Sequence, residues 1–187
     1  MGRDKATLDL AGTTLLDRTL AGVPAEVEVV AVGPRVPVAR DVAFCSEEPP
    51  GGGPVAAVDA GIALVHSPVV VLLATDLPLV GTLPSVLASR LEAASADVDA
   101  VITIDGRQRM QQLCSAYRTQ ALQDAITAGG AAAGAAMRDV VERLRVITAD
   151  VSDLGADQLA VHDVDTPEDL ALVEADVTEA DHPQMRS

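Results

Sequence analysis

Valine-rich apolar runs alternate with segments of helical periodicity along the chain. Six runs are predicted to be strands: 27–32, 42–45, 69–74, 100–104, 113–117 and 146–148. Six segments are predicted to be helices: 14–21, 54–65, 84–94, 119–128, 134–144 and 167–174. Alternation of this kind is typical of a mostly parallel sheet covered by helices on both faces. The dipeptide Asp105-Gly106 predicts one hairpin. The pattern therefore predicts an α/β, three-layer sandwich with a Rossmann-like sheet and one antiparallel strand pair.

The last predicted helix has clear start signals. Thr166 is suited to the N-cap and Pro167 to the first helical position, and two acidic residues follow at the positive end of the helix dipole. Residues 177–187 are polar and aperiodic. With 187 residues the chain is long enough for one domain. We therefore predict a single domain over residues 1–176 and a polar tail over 177–187.

The overall charge and hydropathy exclude several classes of partner. A net charge of −15 opposes binding to nucleic acid. No apolar run approaches the ~20 residues of a membrane span, and no secretory signal is visible, so we expect a cytoplasmic protein without a membrane partner. Cys45 and Cys114 lack metal-binding spacing, which indicates reduced thiols in strands.

Asp76 stands just after the apolar run 69–74, before Leu77-Pro78. In open α/β sheets ligands bind at the carboxyl ends of strands, so a carboxylate here is a candidate metal ligand. Mg²⁺ with nucleotide phosphates fits best, because it needs only one or two protein ligands. The alternative is an aspartate that caps a turn before proline.

Two further segments are candidates for phosphate or nucleotide contact. Lys5 is the one lysine among 13 basic residues, which favours a position that needs a compact point charge, although a surface lysine remains the alternative. The segment Glu47-Glu48-Pro49-Pro50-Gly51-Gly52-Gly53-Pro54 leads into a predicted helix. Its glycines allow close backbone approach to a ligand at a helix N-terminus, but most segments of this composition are plain turns.

Taken in order along positions 1 to about 174, these segments resemble the molybdenum cofactor guanylyltransferase family, the MobA-like NTP transferases. The matching motifs are Met1-Gly2-Arg3-Asp4-Lys5, Leu8-Asp9-Leu10-Ala11-Gly12 with Leu15-Leu16-Asp17-Arg18, Gly53-Pro54-Val55-Ala56 with Ala60-Gly61-Ile62, Thr75-Asp76-Leu77-Pro78, Gln111 to Tyr117, and Val164-Asp165-Thr166-Pro167-Glu168-Asp169-Leu170. The family's first strand and its Gly-rich loop L-A-G-G-x-S-x-R have no counterpart in the sequence. Either an internal methionine stands at position 1, or the segment has been lost.

The resemblance implies a nucleotidyltransferase that transfers GMP from GTP to molybdopterin and releases pyrophosphate, with Mg²⁺ as cofactor. By this resemblance Lys5 and Asp76 are the catalytic residues, Asp76 holds the metal, and Glu48, Gly52 and Gly53 lie near the nucleotide. No histidine is required, so His66, His162 and His182 are interpreted as structural or exposed. Val32 stands where the family has an asparagine, which leaves the choice of nucleobase open.

Three other functions stay open from the sequence. Two are enzymes of the same fold, a molybdopterin cytidylyltransferase and a sugar-phosphate nucleotidyltransferase. The third is a degenerate nucleotide-binding module without activity. The acceptor and the oligomeric state cannot be read from the residues.

Overall fold

A computed structural model of the chain describes residues 5–181. Its helices are α1 (Leu15–Ala21), α2 (Pro54–Ile62), α3 (Leu83–Ala93), α4 (Thr119–Ala128), α5 (Met137–Val141) and α6 (Pro167–Asp181). Its strands are β1 (Asp9–Leu10), β2 (Thr13–Thr14), β3 (Val30–Val32), β4 (Ala43–Cys45), β5 (Val69–Leu73), β6 (Ala100–Ile104), β7 (Cys114–Arg118) and β8 (Val146–Asp150). Short 3₁₀ helices span Lys5–Thr7 and Gln158–Val161. None of the described helices is long and apolar enough to cross a bilayer.

The strands form three sheets. The largest has the order β5-β7-β6-β8, and a second sheet pairs β3 with β4 in parallel. In the large sheet β6 and β8 are parallel, whereas β7 is antiparallel to both β5 and β6. The hairpin at Asp105-Gly106 accounts for the predicted β6–β7 pair, and the structure adds a second antiparallel pair because β7 lies between β5 and β6. β1 and β2 form a small separate hairpin.

Alternate residues of each strand of the large sheet pack on opposite faces. On one face Val69, Val71 and Val101 contact α3 through Leu83, Leu87 and Leu91. On the other face Val70, Leu72 and Ile102 pack against α2, α4 and α5. This period of two, with helices on both sides, gives the predicted three layers and confirms the α/β class.

The carboxyl-terminal helix is longer than predicted. α6 continues to Asp181, past the expected end at 174, so the predicted polar tail begins inside the helix. Val177 explains the extension, because it is buried together with Val173 in the cluster that contains Leu10, Leu15 and Val164. The charged residues between them had hidden this apolar stripe in the sequence. Residues 182–187 and the boundary of the predicted domain are not tested by the described part of the chain.

β3 and β5 are two of the four edge strands of the two main sheets. Within residues 5–181, β3 pairs only with β4, and β5 pairs only with β7. All five residues of β5 and all three of β3 are half-buried, whereas the first four residues of β6 are buried. Helix α2 packs on both sheets, since its buried side chains belong to the apolar cluster against which Val70 and Leu72 of β5 pack, and its Gly61 lies against Val32 of β3.

An open cleft of about 1010 Å³ lies at the amino ends of β3 and β4 and is lined by Val30 and Ala43, by Leu20 of α1, and by Leu64 and His66.

Candidate nucleotide site

Asp76 lies in the turn that follows β5, and this turn is held on both sides. The backbone N–H of Val164 donates to the carbonyl oxygen of Asp76 at 3.1 Å. The hydroxyl of Thr19 in α1 donates to the carbonyl of Leu77 at 3.0 Å. The backbone is thus fixed without help from the Asp76 carboxylate, whose side chain is 20% exposed. That carboxylate lies at the carboxyl end of the strand, as the sequence predicted, and its role as a metal ligand stays a prediction.

Lys5 meets Asp76 although 71 positions separate them. The Lys5 Nζ lies 3.3 Å from Asp76 Oδ2 and also donates to Asp165 Oδ1. The hydrogen bond to Asp165, with a smaller contribution from Asp76, raises the pKa of Lys5 despite some burial, and the same bond lowers the pKa of Asp165. The structure therefore brings together the two predicted catalytic residues. Residues 1–4 of the Met1-Gly2-Arg3-Asp4-Lys5 motif lie outside the described residues.

The loop before α6 carries Asp165 and is anchored by Asp169. Both oxygens of Asp169 accept hydrogen bonds: Oδ2 from the N–H and hydroxyl of Thr166 and from the N–H of Asp165, and Oδ1 from His162 at 3.0 Å. The Asp169 N–H donates in turn to the Thr166 hydroxyl, which completes a capping box. The Thr166 hydroxyl is the main cause that lowers the pKa of Asp169 to about 2. The predicted helix start is confirmed, and His162 is structural as expected.

The glycine loop is a tight turn whose backbone groups are largely satisfied. Gly52 donates its N–H to Pro49, and its carbonyl accepts from Gly134. A Cβ on Gly52 would lie 2.8 Å from the Cβ of Ala56, so glycine is required there for packing. Gly53 has a φ of 91° at the N-cap of α2, with open space on its side-chain face. Of the two, Gly53 is the better placed to face a ligand.

The two glutamates of this loop differ. Glu47 accepts a hydrogen bond from the Gly51 N–H and so stabilises the turn. Glu48 is exposed, as a group that contacts a nucleotide would be. The structure does not bring either residue into contact with Lys5 or Asp76. Their role near the nucleotide stays a prediction.

Sequence reasoning missed Asp165 as a neighbour of Lys5. The residue was recognised only as part of the motif that starts α6, and 160 positions separate it from Lys5. The sequence feature that could have pointed to Asp165 was an acidic residue just before the N-terminus of the helix that follows β8. Only the topology shows that this loop lies beside the end of β5.

Asp105 is a second carboxylate at the carboxyl end of a strand, directly after β6. It accepts hydrogen bonds from the N–H groups of Arg107 and Arg109 and from the side chains of Arg109 and Gln111. Burial alone would raise the pKa of Asp105, but these bonds outweigh it and the pKa is lowered. Asp105 therefore holds its own loop, as the hairpin prediction implied.

Neither cysteine is a candidate nucleophile. Burial raises the pKa of Cys114 in β7 to about 12 and also raises that of Cys45 in β4. Both are free thiols in strands, as predicted. Val32, which stands where the family has an asparagine, lies against Gly61 of α2, so its side chain serves in packing.

The donor set at Asp76 suits a hard cation. Carboxylate oxygens are ligands that Mg²⁺ accepts, and Mg²⁺ needs only one or two of them when phosphates supply others. The Lys5 ammonium beside Asp76 shows that this position stabilises positive charge. In the part of the chain that the structure describes, no group of three or more His, Cys, Asp or Glu side chains could hold a metal. One carboxylate would be enough for Mg²⁺ only if nucleotide phosphates supply other ligands, so Mg²⁺ at Asp76 stays a prediction.

Comparison with solved structures shows which known fold the chain has. The structure is similar to a molybdopterin-guanine dinucleotide biosynthesis protein A from Archaeoglobus fulgidus, with a TM-score of 0.74, 23% identity, and coverage of 95% of this chain and 92% of the other. It is also similar to 2-C-methyl-D-erythritol 4-phosphate cytidylyltransferase from Thermus thermophilus, with a TM-score of 0.69, 22% identity, and coverage of 93% of both chains. The fold is that of the nucleotidyltransferases, as predicted.

Sequence comparison gives the family. The family model of the MobA-like NTP transferase domain matches residues 1–147. A probable molybdenum cofactor guanylyltransferase from Mycobacterium tuberculosis is 34% identical over 166 residues, which cover 80% of this chain and 78% of that protein. The chain belongs to the MobA-like NTP transferase family, and the predicted resemblance is confirmed. The family supports an enzyme of the nucleotidyltransferase class.

Proposed function

We propose that the chain transfers GMP from GTP to molybdopterin in the cytoplasm and releases pyrophosphate. The observation that carries the proposal is the contact of Lys5 with Asp76 at the carboxyl end of β5, 3.3 Å apart, in a chain of this family. A cation and a carboxylate at this edge of the sheet are suited to a nucleotide whose phosphates need both. The similarity to curated guanylyltransferases supports GTP and molybdopterin as the substrates.

The reaction is a displacement at phosphorus. An oxygen of the terminal phosphate of molybdopterin attacks the α-phosphorus of GTP. The bond from the α-phosphorus to the oxygen that bridges it to the β-phosphate breaks, and pyrophosphate leaves with that electron pair. Negative charge accumulates on the α-phosphoryl oxygens during the transfer. The protein therefore has to align two phosphates and offset charge, and it needs no covalent intermediate.

In this proposal Lys5 binds the phosphates and Asp76 is the protein ligand of Mg²⁺. When bound, Mg²⁺ would offset phosphate charge as a Lewis acid. Lys5, which is 30% exposed, can turn from its carboxylate partners to a phosphate without unfolding the turn. Gly53 and Glu48 would lie near the base or ribose, and Gly52 would shape the loop. The fixed backbone of Asp76 would keep its carboxylate aimed while the substrate enters.

The proposal is tested by incubating the chain with radiolabelled GTP, molybdopterin and Mg²⁺, and by following labelled dinucleotide and pyrophosphate. Lys5→Gln should abolish product formation while the fold is retained, because Lys5 is partly exposed and outside the core clusters. Product with CTP but not GTP would indicate the cytidylyl transfer instead. Nucleotide binding without product for either nucleotide would favour the degenerate binding module.

A further inference from the structure

One ammonium is shared by two carboxylates at the candidate site. Lys5 contacts Asp76 and Asp165, so these three groups together carry one negative charge. The Asp165 side chain is 57% exposed, whereas that of Asp76 is 20% exposed. The more accessible partner of Lys5 is therefore Asp165.

Asp165 is not a loosely attached surface residue. Its own N–H donates to Asp169 Oδ2, and the N–H of the preceding residue, the buried Val164, donates to the Asp76 carbonyl. The loop is thus tied to the start of α6 on one side and to the turn after β5 on the other. This attachment holds the Asp165 carboxylate at Lys5 even though the side chain faces solvent.

We propose that Asp165 is an internal competitor of the nucleotide phosphates for Lys5. The inference rests on the proposed function, since it takes Lys5 as the phosphate ligand. A carboxylate oxygen and a phosphate oxygen are equivalent acceptors for an ammonium group. Lys5 has three N–H donors and its two carboxylate partners occupy two of them, so phosphates that use more than the remaining donor have to displace a carboxylate. Asp165 accepts from a donor of Lys5 that a phosphate oxygen would otherwise use, and the nucleotide has to displace Asp165 to gain that donor.

This competition favours binding of the metal-bound nucleotide over the metal-free nucleotide. Once displaced, the Asp165 carboxylate remains beside the phosphates, because its backbone is fixed by Asp169 and Val164. A nucleotide without a metal ion is repelled by this charge, whereas a nucleotide that carries a divalent cation is repelled less. Asp165 is therefore a specificity-determining residue that favours the metal-bound nucleotide.

The test is Asp165→Asn, which keeps the size of the side chain and removes its charge. Binding of inorganic pyrophosphate and of GTP in EDTA is measured by calorimetry on the 187-residue chain. Partly exposed charge pairs of this kind predict metal-free binding that is about two- to five-fold tighter in the variant. The preference for GTP with Mg²⁺ over GTP in EDTA should fall by a similar factor. Glu168→Gln is the matched control, because it removes a neighbouring exposed carboxylate that has no contact with Lys5.

A second measurement reports the contact itself. Lys5 is the one lysine of the sequence, so lysine labelled with ¹³C and ¹⁵N gives a single side-chain NMR signal. Without ligand, Asp165→Asn should shift this signal and Glu168→Gln should leave it in place. Pyrophosphate added to the wild-type chain should also shift it. Asp165→Ser serves as a second variant if the Asn variant folds poorly, as judged by circular dichroism.

Two results would overturn the inference in different ways. If Asp165→Asn binds pyrophosphate no more tightly than the wild type while Lys5→Gln loses binding, the competition is wrong and the proposed function stands. If Lys5→Gln binds pyrophosphate as tightly as the wild type, or if neither the wild type nor Asp165→Asn binds, both proposals fail. Tighter metal-free binding together with the shifted lysine signal supports the competition.

Discussion

Replacement of Asp76 by asparagine distinguishes between the two possible roles of this residue, a metal ligand and a turn cap. The asparagine keeps the size of the side chain and one oxygen, but it removes the negative charge beside Lys5. We expect turnover to fall by at least about 100-fold, while the melting temperature changes little. The two alternatives for Asp76 predict opposite patterns, so one variant decides between them.

The structure sets the size of both effects. The turn is held by the Asp76 carbonyl and by the Thr19 hydroxyl on Leu77, and neither contact needs the carboxylate. The stability lost is therefore that of one partly exposed ion pair with Lys5, about 0.2–1 kcal/mol. Turnover depends on the charge itself, and a loss of about 100-fold corresponds to about 2.7 kcal/mol of transition-state stabilisation, a size typical of one electrostatic contact.

The assay measures dinucleotide formation at several Mg²⁺ concentrations, together with thermal unfolding of the same sample. Higher Mg²⁺ should restore part of the turnover of Asp76→Asn. The control is Asp59→Asn, which removes an exposed carboxylate from α2 and should change neither quantity. Unchanged turnover with a clearly lower melting temperature would refute the reasoning, because Asp76 would then be only a structural residue of the turn.

Three further outcomes are expected. A longer form of the chain that carries a strand and a Gly-rich loop before Met1 should bind GTP with Mg²⁺ more tightly than the 187-residue form, because that loop supplies N–H donors. Equal dissociation constants by calorimetry would contradict this expectation. In a competition assay at equal concentrations GTP should displace CTP, and the reverse would favour the cytidylyl reaction. Asp169→Asn should lower the melting temperature most at neutral pH. The pKa of Asp169 is about 2 in the folded chain and about 3.9 in the unfolded chain. The stability that the Asp169 carboxylate contributes is therefore present above about pH 4 and is lost as the pH falls through about 2. A difference between the two chains that does not shrink in acid would show that the charge of Asp169 is unimportant.

Much of the architecture could be predicted from the sequence because each long element carries a local signal. α4 was predicted at its observed bounds, Thr119–Ala128, and β6 at Ala100–Ile104. The hairpin β1–β2 was missed, because two-residue strands have no detectable period. α5 is shorter than the predicted helix 134–144, since Gly134 adopts a positive φ and holds a loop.

The candidate nucleotide site was only partly predictable, because some of its residues carry a local sequence signal and others are brought together only by the topology. Asp76 was found because a carboxylate after an apolar strand is a local signal, and Lys5 because it is the one lysine. The contact between Lys5 and Asp165 is a product of topology, since it depends on where β1, β5 and α6 place their ends. No local pattern encodes it. The predicted nucleotide contacts of Glu48, Gly52 and Gly53 stay predictions.

Edge strands such as β3 and β5 also affect how the protein behaves in solution. An apolar strand with unpaired N–H and C=O groups can pair with the same strand of another molecule. The net charge of −15 opposes such encounters, because it makes the molecules repel one another. Added salt screens this repulsion beyond about 10 Å at about 0.1 M and leaves the backbone pairing intact. The 187-residue chain should therefore stay dispersed at low ionic strength and self-associate as salt is added.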